Sequence, residues 1–424
     1  ASADALHVGF FADDFHFLDV ARRVPWWRTL GGAYGIYPWY RPLSRELYFA
    51  LISPFGSHAP LAAHAVSLVC LAAAAWLLFD LARRVVGERM AWLAPALFVT
   101  CEYTRFVTAW ASGFQDLLAV ALTLLALFDH ARRRHGRTAL WIALAALAKE
   151  TGFVALPLVL LDAWFIEGER RPRRWMMLPA LAALAAAALH ALVRLGWHGA
   201  GSAAVIRASA ADLAAALLAV AAGFVGRSAV LVSATIALAA LSGAAAAALA
   251  MRAREAESSA ARRAIPFAAI AAALGLAPLV LGSALHLTLA NPYYAFPALP
   301  WISLLAAALA SRAPRAPHRT LAIGIPAVVA WNVLTLGFLP PSPLEDSAWI
   351  FRRWDWHEAE RLSVISSRLE ADLRLALPAR PESLVVLYAG LPTGSFFQSE
   401  DGPATRVALG DASARAYYLN GVPL

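Results

Sequence analysis

Long apolar stretches dominate this chain, and they constrain its fold more than any other feature. About ten occur between residues 57 and 338, most of them near the roughly 20 residues that a helix needs to cross a membrane. The chain is 60% hydrophobic and only 15% charged over 424 residues, with a mean hydropathy of +0.60. This composition excludes an ordinary soluble globular protein. Stretches of helical length predict an all-α polytopic membrane protein and not a β-barrel.

The predicted spans are separated by short polar segments. They cover residues 57–80, 90–108, 112–130, 138–149, 152–166, 175–195, 228–250, 264–285, 293–311 and 320–338. Residues 138–166 would also suit one long tilted helix. We expect a hairpin instead, because a turn at 149–152 leaves both flanking arginine clusters on the cytoplasmic side. The apolar segment 209–226 is expected to lie along the outer surface, since counting it as a span would move the next arginine cluster outside.

Arginine clusters between the spans predict the orientation of the chain. The clusters assigned to cytoplasmic loops contain Arg83, Arg84, Arg89, Arg132, Arg133, Arg134, Arg137, Arg170, Arg171, Arg173, Arg174, Arg252, Arg254, Arg262, Arg263, Arg312, Arg315 and Arg319. The loops assigned to the outside contain only Lys149, Arg207 and Arg227. Positive residues concentrate in cytoplasmic loops, so the first loop and the tail are expected to be extracytoplasmic. The net charge of +8 comes from these short clusters and not from one groove-like face, and we expect no nucleic-acid partner.

Three regions follow from this topology. Residues 1–56 form a first extracytoplasmic loop that is rich in aromatic residues and broken by Gly and Pro, residues 57–339 form the transmembrane domain, and residues 340–424 form a small soluble α/β domain outside. The first residue is Ala1, and an exported loop needs a preceding element to start its translocation. A further transmembrane helix before residue 1 is the simplest expectation, and a cleaved signal peptide is the alternative.

Charged residues at the ends of spans are the main candidates for chemistry, because a charge in an apolar bundle is unfavourable without a partner or a function. The most informative are two adjacent acids of the first loop, Asp13 and Asp14, which suit a catalytic carboxylate at a membrane surface. The alternative is that this pair ends a helix or solvates a loop. Glu102 and Asp116 lie at the outer ends of spans, although an acid such as Asp116 is also favourable at a helix N-terminus.

Two cations stand out among the basic residues. Lys149 is the only lysine of the chain and lies beside Glu150 at the expected turn. A single lysine suggests a role for a compact positive charge that the planar guanidinium of arginine would not fill. An equally good explanation is that Lys149 and Glu150 only neutralise each other. Arg41 lies between aromatic residues and a proline, and it suits a phosphate or carboxylate, unless it reaches lipid headgroups instead. The aromatic residues of the first loop suit either sugar stacking or an interfacial belt.

These elements follow a recognisable order along the chain. It runs from Asp13-Asp14 through Tyr40-Arg41-Pro42-Leu43-Ser44, His64 with Ser67, Trp110-Ala111-Ser112-Gly113 with Asp116, and Ala148-Lys149-Glu150, to Tyr293-Tyr294-Ala295-Phe296-Pro297. In this order the chain resembles the GT-C glycosyltransferases that use polyprenyl-phosphate sugars. It is most similar to their protein O-mannosyltransferase-like and tetratricopeptide-linked transmembrane branch. The resemblance covers roughly residues 10–165 well and 286–310 loosely.

The resemblance implies a membrane glycosyltransferase with its site on the extracytoplasmic face. It would transfer a sugar, with inversion, from a polyprenyl-phosphate donor to a protein, lipid or glycan acceptor. Either Asp13 or Asp14 would be the general base that takes the proton of the acceptor. Arg41 and Lys149 would hold the donor phosphate, and Glu150 would orient Lys149.

The remaining candidates complete the substrate-binding set that the sequence predicts. Asp116 would contact the acceptor or the sugar, and Glu102, Tyr293 and Tyr294 would line the same site. Asp116 together with the two loop acids would also suit Mg²⁺ or Mn²⁺, but no metal or other cofactor is assigned.

A transporter or lipid flippase is the alternative function, and it would place charged groups near the membrane midplane in symmetric halves. The composition is rich in Arg and Ala and has one lysine, which suggests a bacterium of high genomic GC content. We therefore expect the protein in a bacterial inner membrane.

Overall fold

A computed structural model describes residues 3–29, 40–168, 174–198, 259–284, 292–311, 356–377, 384–389 and 402–418. Within these ranges the chain is mostly helical. The expected spans 228–250 and 320–338 and the expected surface segment 209–226 lie outside the described residues.

The N-terminal segment forms short helices instead of a membrane span. A 3₁₀ turn at Ala3–His7 is followed by helix α1 at Asp13–Arg23 and helix α2 at Trp26–Thr29. Phe15 and Leu18 of α1 are buried, whereas Trp26 and Trp27 of α2 are exposed. The segment therefore packs against the bundle through α1.

Helices of varied length build the bundle. They are α3 (Tyr48–Ile52), α4 (Ala59–Val86), α5 (Glu88–Ala91), α6 (Leu93–Thr100), α7 (Glu102–Ala109), α8 (Phe114–Ala131), α9 (His135–Ala148), α10 (Ala155–Leu161), α11 (Met177–His198), α12 (Ser259–Ala284) and α13 (Leu299–Ala310). Short π- or 3₁₀-helical turns lie at Pro42–Leu47, Ser53–His58, Ala111–Gly113, Glu150–Val154, Asp162–Ile166, Arg174–Met176 and Pro292–Ala298. Among the described residues, four stretches are long and apolar enough to cross a membrane: Pro42–Val86, Ala111–Ala131, Arg174–Val193 and Tyr293–Ala310.

The interior of the bundle is filled by aromatic and small residues. Helix α8 packs against α4 and α9, α11 packs against α9, and α12 packs against α13. Phe98, Phe267 and Trp301 are fully buried. In contrast, α11 exposes apolar side chains such as Leu181 and Leu184. An exposed apolar face on a helix of this length suits contact with lipid.

The expected span 90–108 is not one helix. Cys101 is extended, with φ −63° and ψ 137°, and it separates α6 from α7. Helix α7 carries Glu102 and Arg105, and Arg105 donates a hydrogen bond of 3.2 Å to the Asp4 carboxylate in the N-terminal segment. In one straight span, Glu102 and Arg105 would lie on an apolar helix inside the membrane, where charges are unfavourable. Because the helix is broken, Arg105 can bind the Asp4 carboxylate of the N-terminal segment.

The chain also breaks at Lys149, where the sequence predicted a turn. Lys149 is extended, with φ −161° and ψ 153°, and α10 packs back against α8 and α9. A Cβ atom on Gly152 would lie only 2.0 Å from the carbonyl oxygen of Ala145, so this close approach needs a glycine. The region is therefore a hairpin and not one tilted helix.

The C-terminal segments contain helix α14 (Trp356–Ala376), strand β1 (Val385–Tyr388), helix α15 (Pro403–Leu409) and strand β2 (Arg415–Tyr418). The two strands pair in parallel, and α15 packs against both α1 and α14. Asp19 of α1 accepts hydrogen bonds from Arg23 at 2.7 and 3.0 Å and from Arg406 of α15 at 3.0 Å. This carboxylate ties the tail to the N-terminal segment.

Substitution of two glycines tests the hairpin. Gly152→Ala places a methyl group against the Ala145 carbonyl, and we expect it to destabilise the fold by at least about 1–3 kcal/mol, as overpacking does. The control is Gly136→Ala in α9, where a Cβ atom meets nothing within 4 Å. It should leave the thermal unfolding temperature unchanged or raise it, because alanine favours a helix. Equal unfolding temperatures for the two variants would contradict the close approach.

Candidate active site

The ionisable groups that the sequence singled out meet, with one exception, around the start of α8 and the break at Lys149. The group consists of Asp13, Asp14, Arg41, Gln115, Asp116, Lys149, Glu150, Tyr293 and Tyr294. Hydrogen bonds, a cation–π contact and short-range electrostatic interactions connect its members. They come from five separate parts of the chain. The site therefore depends on how the N-terminal segment, the turn after Arg41, α8, the hairpin and the turn before α13 pack together.

Asp14 is a structural anchor. Its Oδ1 accepts hydrogen bonds from the backbone N–H and the hydroxyl of Ser112, at 2.7 and 2.5 Å, and its Oδ2 accepts one from the Phe11 N–H at 3.2 Å. The side chain is fully buried. Burial raises the pKa of Asp14 to about 7, although the hydrogen bonds from Ser112 and Phe11 act to lower it. Both oxygens are used to hold α1 against the start of α8.

Asp13 is the more open carboxylate of the two. It is partly buried, and no described residue forms a hydrogen bond or ion pair with it. Burial raises its pKa to about 6, while the positive charges of Arg41 and Lys149 act to lower it. The preceding Ala12 has a φ of 50°, an unfavourable conformation for a residue with a side chain. Asp13 thus keeps an oxygen available for a substrate.

Arg41 is held by two acceptors. Its guanidinium bonds to both oxygens of Glu150, with a shortest distance of 2.7 Å, and to the Gln115 side-chain oxygen at 2.6 Å. This forked geometry is the one that arginine adopts with carboxylates and phosphates. The described hydrogen bonds of the Glu150 side chain therefore go to Arg41, whereas Lys149 bonds to Asp116. The extended backbone at Lys149 separates the two side chains, so that each meets a partner from another element.

Lys149 is paired with Asp116. Its Nζ lies 2.5 Å from Asp116 Oδ2 and 5.7 Å from the centre of the Tyr294 ring. Both members of the pair are almost fully buried. The second oxygen of Asp116, Oδ1, is buried without a hydrogen-bond partner among the described residues. A buried unpaired acceptor is unfavourable, so this oxygen is available to a donor group on a ligand.

Aromatic residues form one wall of the site. Tyr293 lies edge-on to Trp110, with ring centres 5.2 Å apart, and 4.8 Å from the ring of Tyr294. Phe106 and Phe11 continue the wall behind Trp110. Such surroundings contain little water and strengthen the electrostatic interactions of the charged group.

Glycine and serine residues of the turns let these elements approach. A Cβ atom on Gly113 would lie 2.5 Å from the carbonyl oxygen of Val107, so the turn before α8 approaches α7 too closely for any residue but glycine. The Ser44 hydroxyl donates to the Ala148 carbonyl and holds the turn after Arg41 against the hairpin. These contacts set the distance between Arg41 and Lys149.

One substrate-binding candidate, Glu102, has its described charge contacts outside this group. Glu102 lies beside Arg105 on α7, and Arg105 also interacts with Asp4 and Glu360, so Glu102 belongs to a different group of charges. Helix α7 begins after the break at Cys101, and it packs against the Ala3–His7 turn and α14.

The three acids that would have suited Mg²⁺ or Mn²⁺ do not form a ligand group. Asp14 is used by Ser112 and Phe11, and one oxygen of Asp116 is used by Lys149. Among the described residues, the side chains close enough to share an ion are instead His130, Asp162 and Glu167, in another part of the bundle.

Two residues of the site were missed as candidates. Gln115 binds Arg41, and Ser112 binds Asp14. Both lie in the Trp110 to Asp116 motif, directly beside residues that the sequence did single out. Their uncharged side chains gave no signal of their own.

Two crystal structures of ArnT from Cupriavidus metallidurans, one bound to undecaprenyl phosphate and one in the apo state, match this architecture. Each aligns with a TM-score of 0.51 and 17% sequence identity, and covers 96% of this chain and 73% of ArnT. The chain has the GT-C fold. No protein-family model matches the sequence, and no curated protein matches it. With its long apolar helices, this fold makes the chain a multi-pass membrane protein.

The two loop acids should differ in their effect on stability. Asp14→Asn brings an N–H₂ group against the Phe11 N–H, and we expect a loss of about 1–3 kcal/mol because a buried donor is left unpaired. Asp13→Asn has no such hydrogen bond to lose. The folded-state pKa values of both acids lie above the usual 3.8, at about 6 for Asp13 and about 7 for Asp14, so ionisation of either acid weakens the fold as the pH rises. The effect of the hydrogen bonds is therefore compared below both values.

Thermal unfolding of the purified variants at pH 5 measures the difference, because both carboxyl groups are mainly protonated in the folded protein at that pH. Asp13→Asn should unfold at or above the temperature of the natural protein, and Asp14→Asn well below it. The opposite order would show that Asp13 is the anchor.

Proposed function

We propose that the protein is a membrane glycosyltransferase that uses a polyprenyl-phosphate-linked sugar, with Asp13 as its general base. The observation that supports this most is the open Asp13 carboxylate, which lies in the field of two cations, Arg41 and Lys149. Similarity of fold to ArnT, one of whose structures holds undecaprenyl phosphate, supports a donor of this type. Fold alone does not give an activity, so the proposal depends on the chemistry of these side chains.

The cations would bind the phosphate of the donor. In the resting site Arg41 is neutralised by Glu150 and Lys149 by Asp116. A phosphodiester therefore has to share or replace a carboxylate partner. Lys149 suits this exchange better, because an ammonium rotates freely between acceptors whereas Arg41 is held at several atoms. Glu150 and Gln115 would keep Arg41 in place.

The transfer step would be a direct displacement at the anomeric carbon. An acceptor hydroxyl or amine attacks this carbon, its proton passes to Asp13, and the bond from the carbon to the phosphate oxygen breaks. Polyprenyl phosphate leaves with the electron pair, and its charge is stabilised by Lys149 and Arg41. Asp116 Oδ1 would accept a hydrogen bond from the sugar or the acceptor. One displacement gives inversion at the anomeric carbon.

We further propose that the site faces the extracytoplasmic side of a bacterial inner membrane. The distribution of arginines supports this orientation. The sequence resemblance to the O-mannosyltransferase-like branch makes polyprenyl-phosphate mannose the first donor to test, with protein, lipid and glycan acceptors. A panel of labelled polyprenyl-phosphate sugars given to the purified protein tests the class of activity. Transport of the lipid without transfer of its sugar would favour a flippase instead.

The pH dependence of transfer distinguishes the two loop acids. A general base acts in its ionised form, so kcat/KM should fall as the pH drops through about 6, the pKa of Asp13. Asp13→Asn should lower kcat by roughly 10²–10⁴-fold and remove this acidic limb. Asp14→Asn should lower the amount of folded protein while the limb remains. An unchanged rate in Asp13→Asn would exclude Asp13 as the base.

A lysine substitution tests the phosphate site without any turnover. Lys149→Gln should weaken the binding of undecaprenyl phosphate by at least about tenfold, which is the loss of roughly 1.4 kcal/mol of charge-assisted bonding. Native mass spectrometry in detergent measures this affinity. The control is Arg84→Gln. It also removes a cation that is paired with a buried carboxylate, that of Asp162, but this pair lies away from the site. Equal affinities in the two variants would contradict the role of Lys149.

A further inference from the structure

A third buried ion pair lies beside the proposed site, between the neighbouring residues Arg45 and Glu46. The Arg45 Nε donates to Glu46 Oε1 at 2.7 Å, and its Nη2 donates to the same oxygen. Only 4% and 5% of the two side chains are exposed. They lie in the π-helical turn Pro42–Leu47, and such turns are frequent at functional sites. The transfer chemistry proposed above does not use this pair.

This pair differs from the two ion pairs of the site because it does not join separate parts of the chain. The pairs of Arg41 and Lys149 connect different elements, whereas Arg45 and Glu46 are adjacent in sequence. Removing two charges from water is unfavourable, and a pair within one turn does not hold two elements together in return. Buried charges in a stretch that can cross a membrane are therefore candidates for ligand binding.

The pair has hydrogen-bonding capacity left for a ligand. Glu46 Oε2 is buried without a hydrogen-bond partner among the described residues. The described hydrogen bonds of Arg45 use only Nε and Nη2, so the N–H groups of Nη1 remain. A buried acceptor without a donor is unfavourable, so a ligand that donates to Oε2 would stabilise the site.

Contacts with α1 place Arg45 near Asp13. The guanidinium carbon of Arg45 lies 5.6 Å from the centre of the Phe17 ring. Phe17 follows Asp13 by four residues in α1, so the two side chains lie on the same face of the helix. After Arg41 and Lys149, Arg45 is the third positive charge that acts on the Asp13 carboxyl group. The pair is thus a neighbour of the proposed base.

Glu46 connects the pair to the phosphate end of the site. Its charge interacts with Arg41, one of the two cations proposed to hold the donor phosphate. In a direct displacement the sugar lies between the attacking acceptor and the leaving phosphate. The pair interacts with groups at both ends of this path, with Asp13 through Arg45 and with Arg41 through Glu46. A sugar in transfer would therefore lie next to it.

The charges of the pair determine which ligand group suits it. A phosphate would be repelled by Glu46, and an ammonium group would be repelled by Arg45. A hydroxyl group suits both residues, because it donates to a carboxylate and accepts from a guanidinium.

We infer that Arg45 and Glu46 bind hydroxyl groups of the transferred sugar, with Glu46 Oε2 as the acceptor and Arg45 Nη1 as the donor. The inference rests on the proposed transferase function and names the residues that select the donor sugar. A sugar that lacks the matching hydroxyl would leave Oε2 buried without a donor, and sites of this kind discriminate strongly against such analogues.

The variant Glu46→Gln tests the pair in the full chain. Glutamine keeps the size of the side chain, but it removes the charge and replaces one carboxylate oxygen by a donor group. The control is Asp80→Asn, because Asp80 is also buried and paired with an arginine of its own helix, Arg83, near the other end of the stretch Pro42–Val86. Native mass spectrometry in detergent measures the affinity for undecaprenyl phosphate and for undecaprenyl phosphate that carries mannose, glucose or galactose.

At least one of the sugar-bearing lipids should bind the natural protein and Asp80→Asn at least about tenfold more tightly than undecaprenyl phosphate. Glu46→Gln should lose most of this difference, while its affinity for undecaprenyl phosphate stays the same. The inference is overturned if the sugar adds no affinity in the natural protein, or adds as much in Glu46→Gln. It is also overturned if Glu46→Gln binds undecaprenyl phosphate as weakly as the sugar-bearing lipid, because the pair would then belong to the phosphate site.

A second variant keeps the test decisive if Glu46→Gln does not fold. Arg45→Lys retains a positive charge near Asp13 but lacks the Nη1 donors. The best-bound sugar-bearing lipid and its deoxy-sugar forms are compared in this variant and the natural protein. One deoxy form should bind the natural protein at least about tenfold more weakly than the complete sugar, and Arg45→Lys should lose most of this difference. A difference of the same size in both proteins would contradict the inference.

The two proposals fail in different ways. Binding of the sugar that requires Glu46, without transfer to any acceptor, would support the pair and contradict the transferase. Transfer by Glu46→Gln with the same preference among sugars as the natural protein would support the transferase and contradict the pair.

Discussion

The pairing of buried charges at the ends of apolar helices is the constraint on which the site depends. An unpaired charge removed from water is unfavourable by several kcal/mol, so each of these two cations is paired with a carboxylate from another element. Lys149 forms an ion pair with Asp116 at the start of α8, and Arg41 forms one with Glu150 of the hairpin. These two ion pairs hold three parts of the chain at fixed distances. In the two pairs each positive charge is neutralised by a carboxylate.

The two neighbouring acids, Asp13 and Asp14, have different surroundings. Asp14 uses both oxygens to join α1 to the residues just before α8, and its side chain is fully buried. The same bonds place Asp13 beside Arg41 and Lys149 with its carboxylate open. Because Asp14 is anchored, its neighbour Asp13 is held in a fixed position, which a general base requires. The hydrogen bond from Arg406 to Asp19 also connects α1 to the tail.

Several features of the site could be predicted because they depend on local sequence. Apolar length predicted the helices, and the arginine clusters on both sides of residues 138–166 predicted the hairpin. Asp13, Arg41 and Asp116 stood out because charge is rare in such a chain. The partners of these residues could not be predicted, since Gln115 and Ser112 are ordinary polar residues whose importance comes from their distance to Arg41 and Asp14. The predicted span 90–108 was wrong at Cys101, because hydropathy does not reveal where the backbone of an apolar segment leaves the helical conformation.

By itself, the sequence determined that this is a helical membrane protein with its ionisable candidates at helix ends, because hydropathy and charge are properties of single residues and their neighbours. The tertiary structure decided which acid is open, which carboxylate meets which cation, and that Glu102 lies elsewhere. Those outcomes depend on contacts between residues about 30 to 110 positions apart, such as Arg41 with Glu150 and Lys149 with Asp116. Such contacts follow from the packing of helices, and a sequence pattern does not show which residues of different helices lie close together.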